Sequence, residues 1–205
     1  MTTSILSAKD LERLRRISVE GAYAAERALH QFTGVGVRLD VAAVSSVDLA
    51  DVPALLGGPE APVVGIHLKV FGECRASVFL ALPPRTALKV LAILFPPGAA
   101  GIDELSEMEV SGLMEMGNIL TCAYLNAMSA ALGMSLIPSV PMFASDMAGA
   151  VVDVLLIEQG QRADAALVIH TEMTAEPDLK GQLLLMPDPA SLPRILEALA
   201  EGPEP

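Results

Sequence analysis

The sequence predicts an α+β domain built from two related halves, with helices packed on a mostly antiparallel sheet. Three observations support this prediction. Residues 10–45 align with residues 109–144 at an offset of 99, which pairs Gly34 with Gly133. Each half contains one long helical pattern, and each half also has two adjacent apolar runs of the kind that forms a hairpin. Self-similarity at a fixed offset indicates a pseudo-two-fold arrangement of the two halves.

Both halves are predicted to have the same order of elements: helix, strand, short helix, two strands of a hairpin and a last helix. Acidic residues in the first turns of the second long helix suit the positive end of the helix dipole. Ser145 or Asp146 would cap the second short helix, and Gly160 would end it. The predicted bounds are 8–33 and 104–132 for the long helices, 47–56 and 145–158 for the short helices, and 62–71 with 75–82 and 164–174 with 180–186 for the hairpins.

We interpret residues 1–205 as a single domain. The first repeat would cover about residues 8–96 and the second about residues 102–200. The segment PPGAAG between them has the composition of a linker. Residues 201–205, EGPEP, are predicted to be a disordered tail.

Composition narrows the classes of function. The net charge of −12 repels phosphate backbones and anionic lipids, so we predict no binding to nucleic acid. The two cysteines, Cys74 and Cys122, form no disulfide framework and match no zinc motif. The first residues lack the basic and apolar regions of a signal peptide, which predicts a cytoplasmic protein.

One uncharged segment is long enough to suggest a membrane helix. No charged residue lies between Glu115 and Asp146. However, a spanning helix would have to bury Asn118 and Asn126 in the membrane, and prolines interrupt the segment further on. We therefore predict no membrane insertion.

The second long helix carries a polar stripe on a largely apolar surface. Ser111, Glu115, Asn118 and Cys122 follow each other at i, i+4, i+7 and i+11, which places them on one face. An acid and a carboxamide one turn apart can together bind or orient a ligand. The alternative is a solvated face of an amphipathic helix, which is what most polar stripes are. Asparagine is an unfavourable residue within a helix, and this favours the functional interpretation.

These residues resemble a known signature. Ser111, Glu115 and Asn118, followed after 22 residues by Pro141, are similar to the motif of the CheC/CheX phosphatases. The surrounding segments EMGNILTCAYLNAMS and SDMAGAVVDVLL also resemble that family, and the two-repeat layout is that of CheC. A bare Glu-x-x-Asn pair is not specific, so the resemblance rests on its combination with the spaced proline and the repeat.

The resemblance implies a chemotaxis enzyme, a protein aspartyl-phosphate phosphatase acting on a phosphorylated CheY-like response regulator. Asn118 would orient the attacking water, and Glu115 would pair with a lysine of the regulator. Ser111 and Pro141 would shape the helix face and the neighbouring strand. The Mg²⁺ would belong to the regulator, so we predict no cofactor and no metal site in this chain.

The first repeat differs from the signature at every position. Arg16 cannot replace an acid that pairs with lysine, and Val19 cannot orient water. We therefore predict that the first repeat is degenerate and that the second holds the one active centre. At the offset of 99, the four positions of the first repeat are Glu12, Arg16, Val19 and Ala42.

Other candidate residues have structural interpretations. His67 and His170 occupy matching places in the two halves, which favours a shared architecture over a ligand role. We interpret Cys122 as a buried structural thiol and the methionines of the second long helix as core residues. Asp146 and Asp153 have no third ligand at a recognisable spacing, so they suggest a cap and a solvated face.

Two rival functions stay open. A CheC-like protein that has lost useful activity could serve as an adaptor for a CheD-type deamidase or for components of the flagellar switch, because a fold does not fix a function. An unrelated hydrolase is the other alternative, and no Ser, Cys or Asp of the sequence lies in an activating context with a His.

Overall fold

The computed structural model describes residues 6–158, 165–175 and 178–201. Within these ranges it contains five α-helices and seven strands, joined by turns and by three short 3₁₀ helices. The elements are α1 (Ala8–Thr33), β1 (Val37–Asp48), β2 (Pro62–Gly72), β3 (Ala76–Leu82), α2 (Pro84–Leu94), α3 (Glu107–Leu132), β4 (Leu136–Pro138), β5 (Met142–Met147), α4 (Ala148–Glu158), β6 (Ala165–Ala175), β7 (Leu179–Pro187) and α5 (Leu192–Glu201), with 3₁₀ helices at Leu49–Leu56, Ile102–Glu104 and Pro189–Ser191.

All seven strands form one sheet in the order β1, β6, β7, β3, β2 and β4, and β5 also pairs with β2. Every pairing is antiparallel. β4 and β5 lie beside opposite ends of β2, so the two short strands together make one edge of the sheet, and β1 makes the other. The predicted α+β class and both predicted hairpins, β2 with β3 and β6 with β7, are confirmed.

The sheet is covered on both faces. The larger hydrophobic core lies between the sheet and the helices α1, α2, α3 and α5. A smaller core lies where the 3₁₀ helix Leu49–Leu56 and α4 pack on strands of the same sheet. The buried side chains are mainly aliphatic, in a sequence of which only 3% is aromatic.

The two long helices begin and end in the same way. Ser7 caps α1 and Ser106 caps α3, each in a reciprocal capping box with the acid three residues later. Gly34 and Gly133 end the helices in the left-handed conformation. The bounds predicted for α1 are confirmed, whereas α3 begins at Glu107 rather than at residue 104, because Ser106 is its cap.

α1 and α3 lie against each other over one face of the sheet. Gly21 of α1 makes this approach close, because a Cβ atom there would lie 3.1 Å from the carbonyl oxygen of Tyr124 in α3. The Tyr124 side chain is buried, and its burial raises its pKa to about 12 although Ser18 and Thr171 act in the opposite direction. The helix pair therefore forms a closely packed layer above the sheet.

The start predicted for the second short helix is wrong. Ser145 and Asp146 do not cap a helix: they pair with β2 as part of β5, and α4 begins only at Ala148. The predicted first short helix is present as the 3₁₀ helix Leu49–Leu56, and Pro53 lies inside it. Gly160, the predicted end of α4, lies outside the described residues.

The strand predicted after α3 is interrupted. Prolines 138 and 141 flank the gap between β4 and β5, and proline cannot donate to a strand ladder. Ser139 bridges this gap, because its backbone N–H donates to the Lys69 carbonyl at 2.7 Å and its Oγ accepts from the Lys69 N–H at 3.0 Å. Ser139 thus continues the edge of the sheet across the gap, with one backbone and one side-chain hydrogen bond to Lys69.

From α1 the order is helix, strand, helical segment, two strands and helix, and from α3 it is the same except that two strands, β4 and β5, replace the first strand. The division into repeats at 8–96 and 102–200 stays a prediction. Within the predicted tail, Glu201 is the last residue of α5, so the expected boundary at 201 is wrong by one residue. Residues 202–205 lie outside the described residues.

Candidate functional site

The polar stripe predicted from the sequence lies on the side of α3 that faces away from the core. Ser111 and Glu115 are exposed, and Asn118 and Cys122 are half-buried. The opposite side of the helix is buried and includes Leu113, Met116 and Leu120. The acid and the amide are therefore both accessible from outside on neighbouring turns.

A glycine sets the distance between this part of α3 and the sheet. Gly117 lies between the acid and the amide in sequence and faces Ile66 of β2. A Cβ atom at this position would lie 2.6 Å from Cγ2 of Ile66, which is closer than real contacts allow. α3 can therefore lie directly on β2 at the turn that carries Glu115 and Asn118.

Asn118 makes a side-chain contact with Cys122. The Cys122 thiol donates to Oδ1 of Asn118 with an Sγ–Oδ1 distance of 3.4 Å. The predicted burial of Cys122 is wrong, because its side chain is half-buried, whereas its structural role stays a prediction. The sequence placed both residues on one face, but their hydrogen bond depends on the rotamers that both side chains adopt.

The electrostatics of the stripe keep this thiol protonated. Partial burial raises the pKa of Cys122 above its ordinary value of 9, and the negative charge of Glu115 raises it further. Glu115 and Cys122 are seven residues apart, so they lie on either side of Asn118 along the helix. The amide thus lies between a carboxylate and a neutral thiol.

The predicted supporting residues lie in the same region, farther from the acid–amide pair. They are Ser111 and Pro141. Ser111 is exposed one turn before Glu115. Pro141 is half-buried directly before β5, whose Phe143 pairs with Ile66, the residue that contacts Gly117. Among the described residues, no hydrogen bond joins Ser111 or Pro141 to the acid–amide pair.

The corresponding positions of the first repeat have a different surface. Glu12 and Arg16 are exposed, and Val19 is half-buried. Ala42 lies at a bulge of β1, between Val41 and Ala43 in the pairing with β6. These positions hold one acid, one arginine and two apolar residues, and the degeneracy of the first repeat stays a prediction.

Val19 lines a groove of about 530 Å³ between α1 and the edge strand β1. Side chains of α1 bind the edge of the strand there: Glu26 accepts from the Leu39 N–H at 2.7 Å, and Arg15 donates to the Val41 carbonyl at 3.4 Å. Bonds of this kind occupy backbone groups that an edge strand would otherwise leave free. The surface of α1 is thus partly used to protect β1.

The two matching histidines bridge strands. Nε2 of His67 lies 2.9 Å from Oγ of Ser77, and Nε2 of His170 lies 2.6 Å from Oε1 of Gln182. Both contacts join neighbouring strands of the sheet, which agrees with a structural role. Asp153 is exposed on α4, as predicted for a solvated face.

Two further features are absent from the described ranges. These ranges contain no group of three or more His, Cys, Asp or Glu side chains placed to hold a metal ion. No helix within them is both long enough and apolar enough to cross a membrane.

Comparisons with known proteins agree with the fold. No family model matches the chain. The CheY-P phosphatase CheC of Bacillus subtilis is 29% identical over 196 residues, covering 93% of this chain and 94% of the relative. Among solved structures, FliY of Thermotoga maritima has a TM-score of 0.75 at 15% identity, covering 97% of this chain and 99% of that one. CheX of Borrelia burgdorferi, solved with CheY, BeF₃ and Mg²⁺, has a TM-score of 0.56 at 14% identity, covering 84% and 96%.

These similarities first define a class of protein. The chain has the α+β fold of FliY and CheX, with helices packed on a mostly antiparallel sheet. Within that class, the similarity to CheC extends over almost the whole of both chains. The chain is thus similar in sequence to CheC and in fold to CheX.

Proposed function

We propose that this chain is a cytoplasmic phosphatase that hydrolyses the aspartyl phosphate of a CheY-like receiver domain. The observation that carries the proposal is the pairing of an exposed Glu115 with an accessible Asn118 on one face of α3. The similarity to a protein named as a CheY-P phosphatase supports it. A partly exposed amide at the surface of a helix can enter the phosphate pocket of another protein, whereas an amide in the core cannot.

Asn118 would act by positioning water. Hydrolysis of an acyl phosphate needs a water molecule in line with the phosphorus atom and little covalent help from protein groups. A carboxamide is not a base near neutral pH, but its oxygen accepts and its NH₂ group donates hydrogen bonds. Holding the water in line removes orientational entropy from the barrier to the reaction.

Glu115 would fix the geometry of docking. Its carboxylate is exposed one turn before Asn118 and can pair with the lysine beside the phosphate of the receiver. The Mg²⁺ bound by the receiver would neutralise negative charge on the phosphoryl oxygens. In this division of roles, the phosphatase contributes an amide and an acid and binds no metal itself.

The test is the decay of a phosphorylated receiver with the purified protein. Asn118→Ala should slow catalysed decay by roughly 100-fold or more, the order expected when a group that positions a reactant is lost. Asn126→Ala is the matched control, because Asn126 is an exposed asparagine of the same helix about two turns away. Catalysis that survives Asn118→Ala unchanged, with the control also unchanged, would refute the phosphatase proposal.

A second candidate function is that of an adaptor for a CheD-type deamidase or for components of the flagellar switch. It is favoured by the structural likeness to FliY and by the degenerate surface of α1. The retained Glu115–Asn118 pair speaks against it. A pull-down with the deamidase, run beside a phosphate-release assay on the same preparation, separates the two functions: an adaptor binds its partner and leaves the decay of the receiver unchanged.

A further inference from the structure

The hydrogen bond between Cys122 and Asn118 bears directly on the proposed reaction. Cys122 is at i+4 from Asn118, so its side chain lies over the next turn of the same face. The Sγ–Oδ1 distance of 3.4 Å fits an S–H donor and an amide oxygen. In the described part of the chain, this is the one hydrogen bond that the Asn118 side chain makes.

An asparagine side chain without such a contact has little to fix its outer torsion. The χ2 angle of asparagine is broad, so the amide plane of an exposed residue samples many orientations. A donor beneath the oxygen restricts this freedom. The S–H to Oδ1 bond also places the oxygen, rather than the NH₂ group, toward the thiol.

The contact leaves the amide free for other partners. An amide oxygen has two lone pairs, and the thiol occupies one of them. The second lone pair and both hydrogens of Nδ2 stay available for a water molecule or a partner protein. Since partial burial and Glu115 keep the thiol protonated, the donor is present near neutral pH.

The corresponding positions of α1 hold different residues. At the offset of 99, Cys122 corresponds to Tyr23, which is 61% exposed, and Asn118 corresponds to Val19. The first repeat therefore lacks both the amide and the thiol. The pair occurs on the one helix that carries the signature.

We propose that Cys122 is a positioning residue of the phosphatase: its S–H group holds the Asn118 amide in the orientation that binds the attacking water. This inference rests on the proposed function and assigns a role to a residue outside the signature. The thiol takes no part in bond making or breaking. Its effect is on the geometry of Asn118 before the receiver binds.

Kinetics with a phosphorylated receiver provide the first test. Cys122→Ala and Cys122→Val both remove the donor, and valine keeps most of the side-chain volume. Each should lower kcat by roughly threefold to tenfold, the effect of losing one neutral hydrogen bond, with KM unchanged. Cys74→Ala is the control, because Cys74 is a buried thiol outside α3 and should leave kcat unchanged. A loss in the alanine variant alone would assign the effect to packing and overturn the proposal.

A second test needs no activity. The NH₂ group of Asn118 can be followed by NMR relaxation in the free protein, with the folded state checked by thermal unfolding. The wild-type order parameter should be that of a rigid group, and it should fall below about 0.6 in both Cys122 variants. An order parameter that stays the same without the thiol would overturn the proposal. If the wild-type protein fails to speed receiver decay, the proposed function fails, and this measurement still decides whether Cys122 orients the amide.

Discussion

α1 and α3 are two helices of equal length that are capped in the same way and packed side by side, yet their outer surfaces differ. α3 carries Glu115 and Asn118 where α1 carries Arg16 and Val19. The capping and packing residues build the layer above the sheet, and the outward residues are free to differ. The fold therefore needs both helices, whereas the proposed chemistry needs the outer face of α3 alone.

The inner faces of the two helices also differ at one point. Gly117 of α3 lies against Ile66, whereas the corresponding residue of α1 is Ser18, which is buried and donates to the Leu14 carbonyl at 2.8 Å. α1 thus has room for a side chain at a position where α3 has none. The close approach of α3 to β2 belongs to the helix with the candidate site.

The largest change in stability should come from filling that contact. Gly117→Ala adds a Cβ atom 2.6 Å from Cγ2 of Ile66, so α3 has to move away from β2. We expect the free energy of unfolding to fall by about 2 kcal/mol, since the strain of overpacking exceeds the gain in helix propensity. Chemical denaturation measures the change, and Gly101→Ala is the control, because no atom lies within 4 Å of a Cβ atom there. Equal stability of the two variants would show that α3 does not depend on this contact.

The next largest effect should be a change in KM when a charge on the outer face of α3 is removed. Glu115→Gln removes the carboxylate that would pair with a lysine of the receiver, and KM should rise about 10-fold, which corresponds to about 1.4 kcal/mol. Steady-state kinetics at low salt measure it, and added salt should reduce the difference from wild type. Arg16→Gln changes the corresponding charge of α1 and should alter KM less than about twofold, the range of a surface charge without a partner. A larger effect at Arg16 than at Glu115 would reverse the comparison of the two helices.

The smallest effect should be the same in both helices. Ser7→Ala and Ser106→Ala each remove an N-cap, and each should lower the free energy of unfolding by about 1 kcal/mol at pH 7. Thermal or chemical unfolding measures both. Clearly unequal losses would contradict the view that the two helices share their structural role.

The same caps should make the free energy of unfolding depend on pH. The Ser106 side chain, and then its backbone N–H, donate to Glu109 and hold the pKa of this carboxyl below its ordinary value of 4.5. A lowered pKa means that the carboxylate stabilises the folded state above pH 4.5, and that this contribution is lost as the pH falls through the lower pKa of the folded state. The stability difference between wild type and Ser106→Ala should therefore shrink in acid. A difference that is constant down to pH 2 would exclude a role for the Glu109 charge.

Local signals were enough to predict much of the fold and the face of the candidate site. The helical spacing of apolar residues and the glycine at position 34 predict α1 and its end. Helical spacing alone predicts the polar stripe of α3. Asp103 and Glu104 also suit the start of a helix. The capping box of Ser106 with Glu109 is the signal that α3 begins after them. That box can be read from the sequence as Ser-x-x-Glu.

The errors arose where distant residues decide the structure. Ser145 and Asp146 are typical helix caps, but their pairing with β2, about 80 residues earlier in the chain, makes them a strand. The role of Gly117 depends in the same way on Ile66. The contact of Cys122 with Asn118 is local, but it depends on rotamers that spacing does not specify.

The most direct test of the account compares the two helices in one assay, the decay of a phosphorylated CheY-like receiver. Glu115→Ala with Asn118→Ala changes the outer face of α3, and Arg16→Ala with Val19→Ala changes the corresponding face of α1. We expect the α3 double variant to leave the receiver to decay at its spontaneous rate, and the α1 double variant to keep nearly the full wild-type rate. Fast decay with the α3 variant, or slow decay with a folded α1 variant, would contradict it.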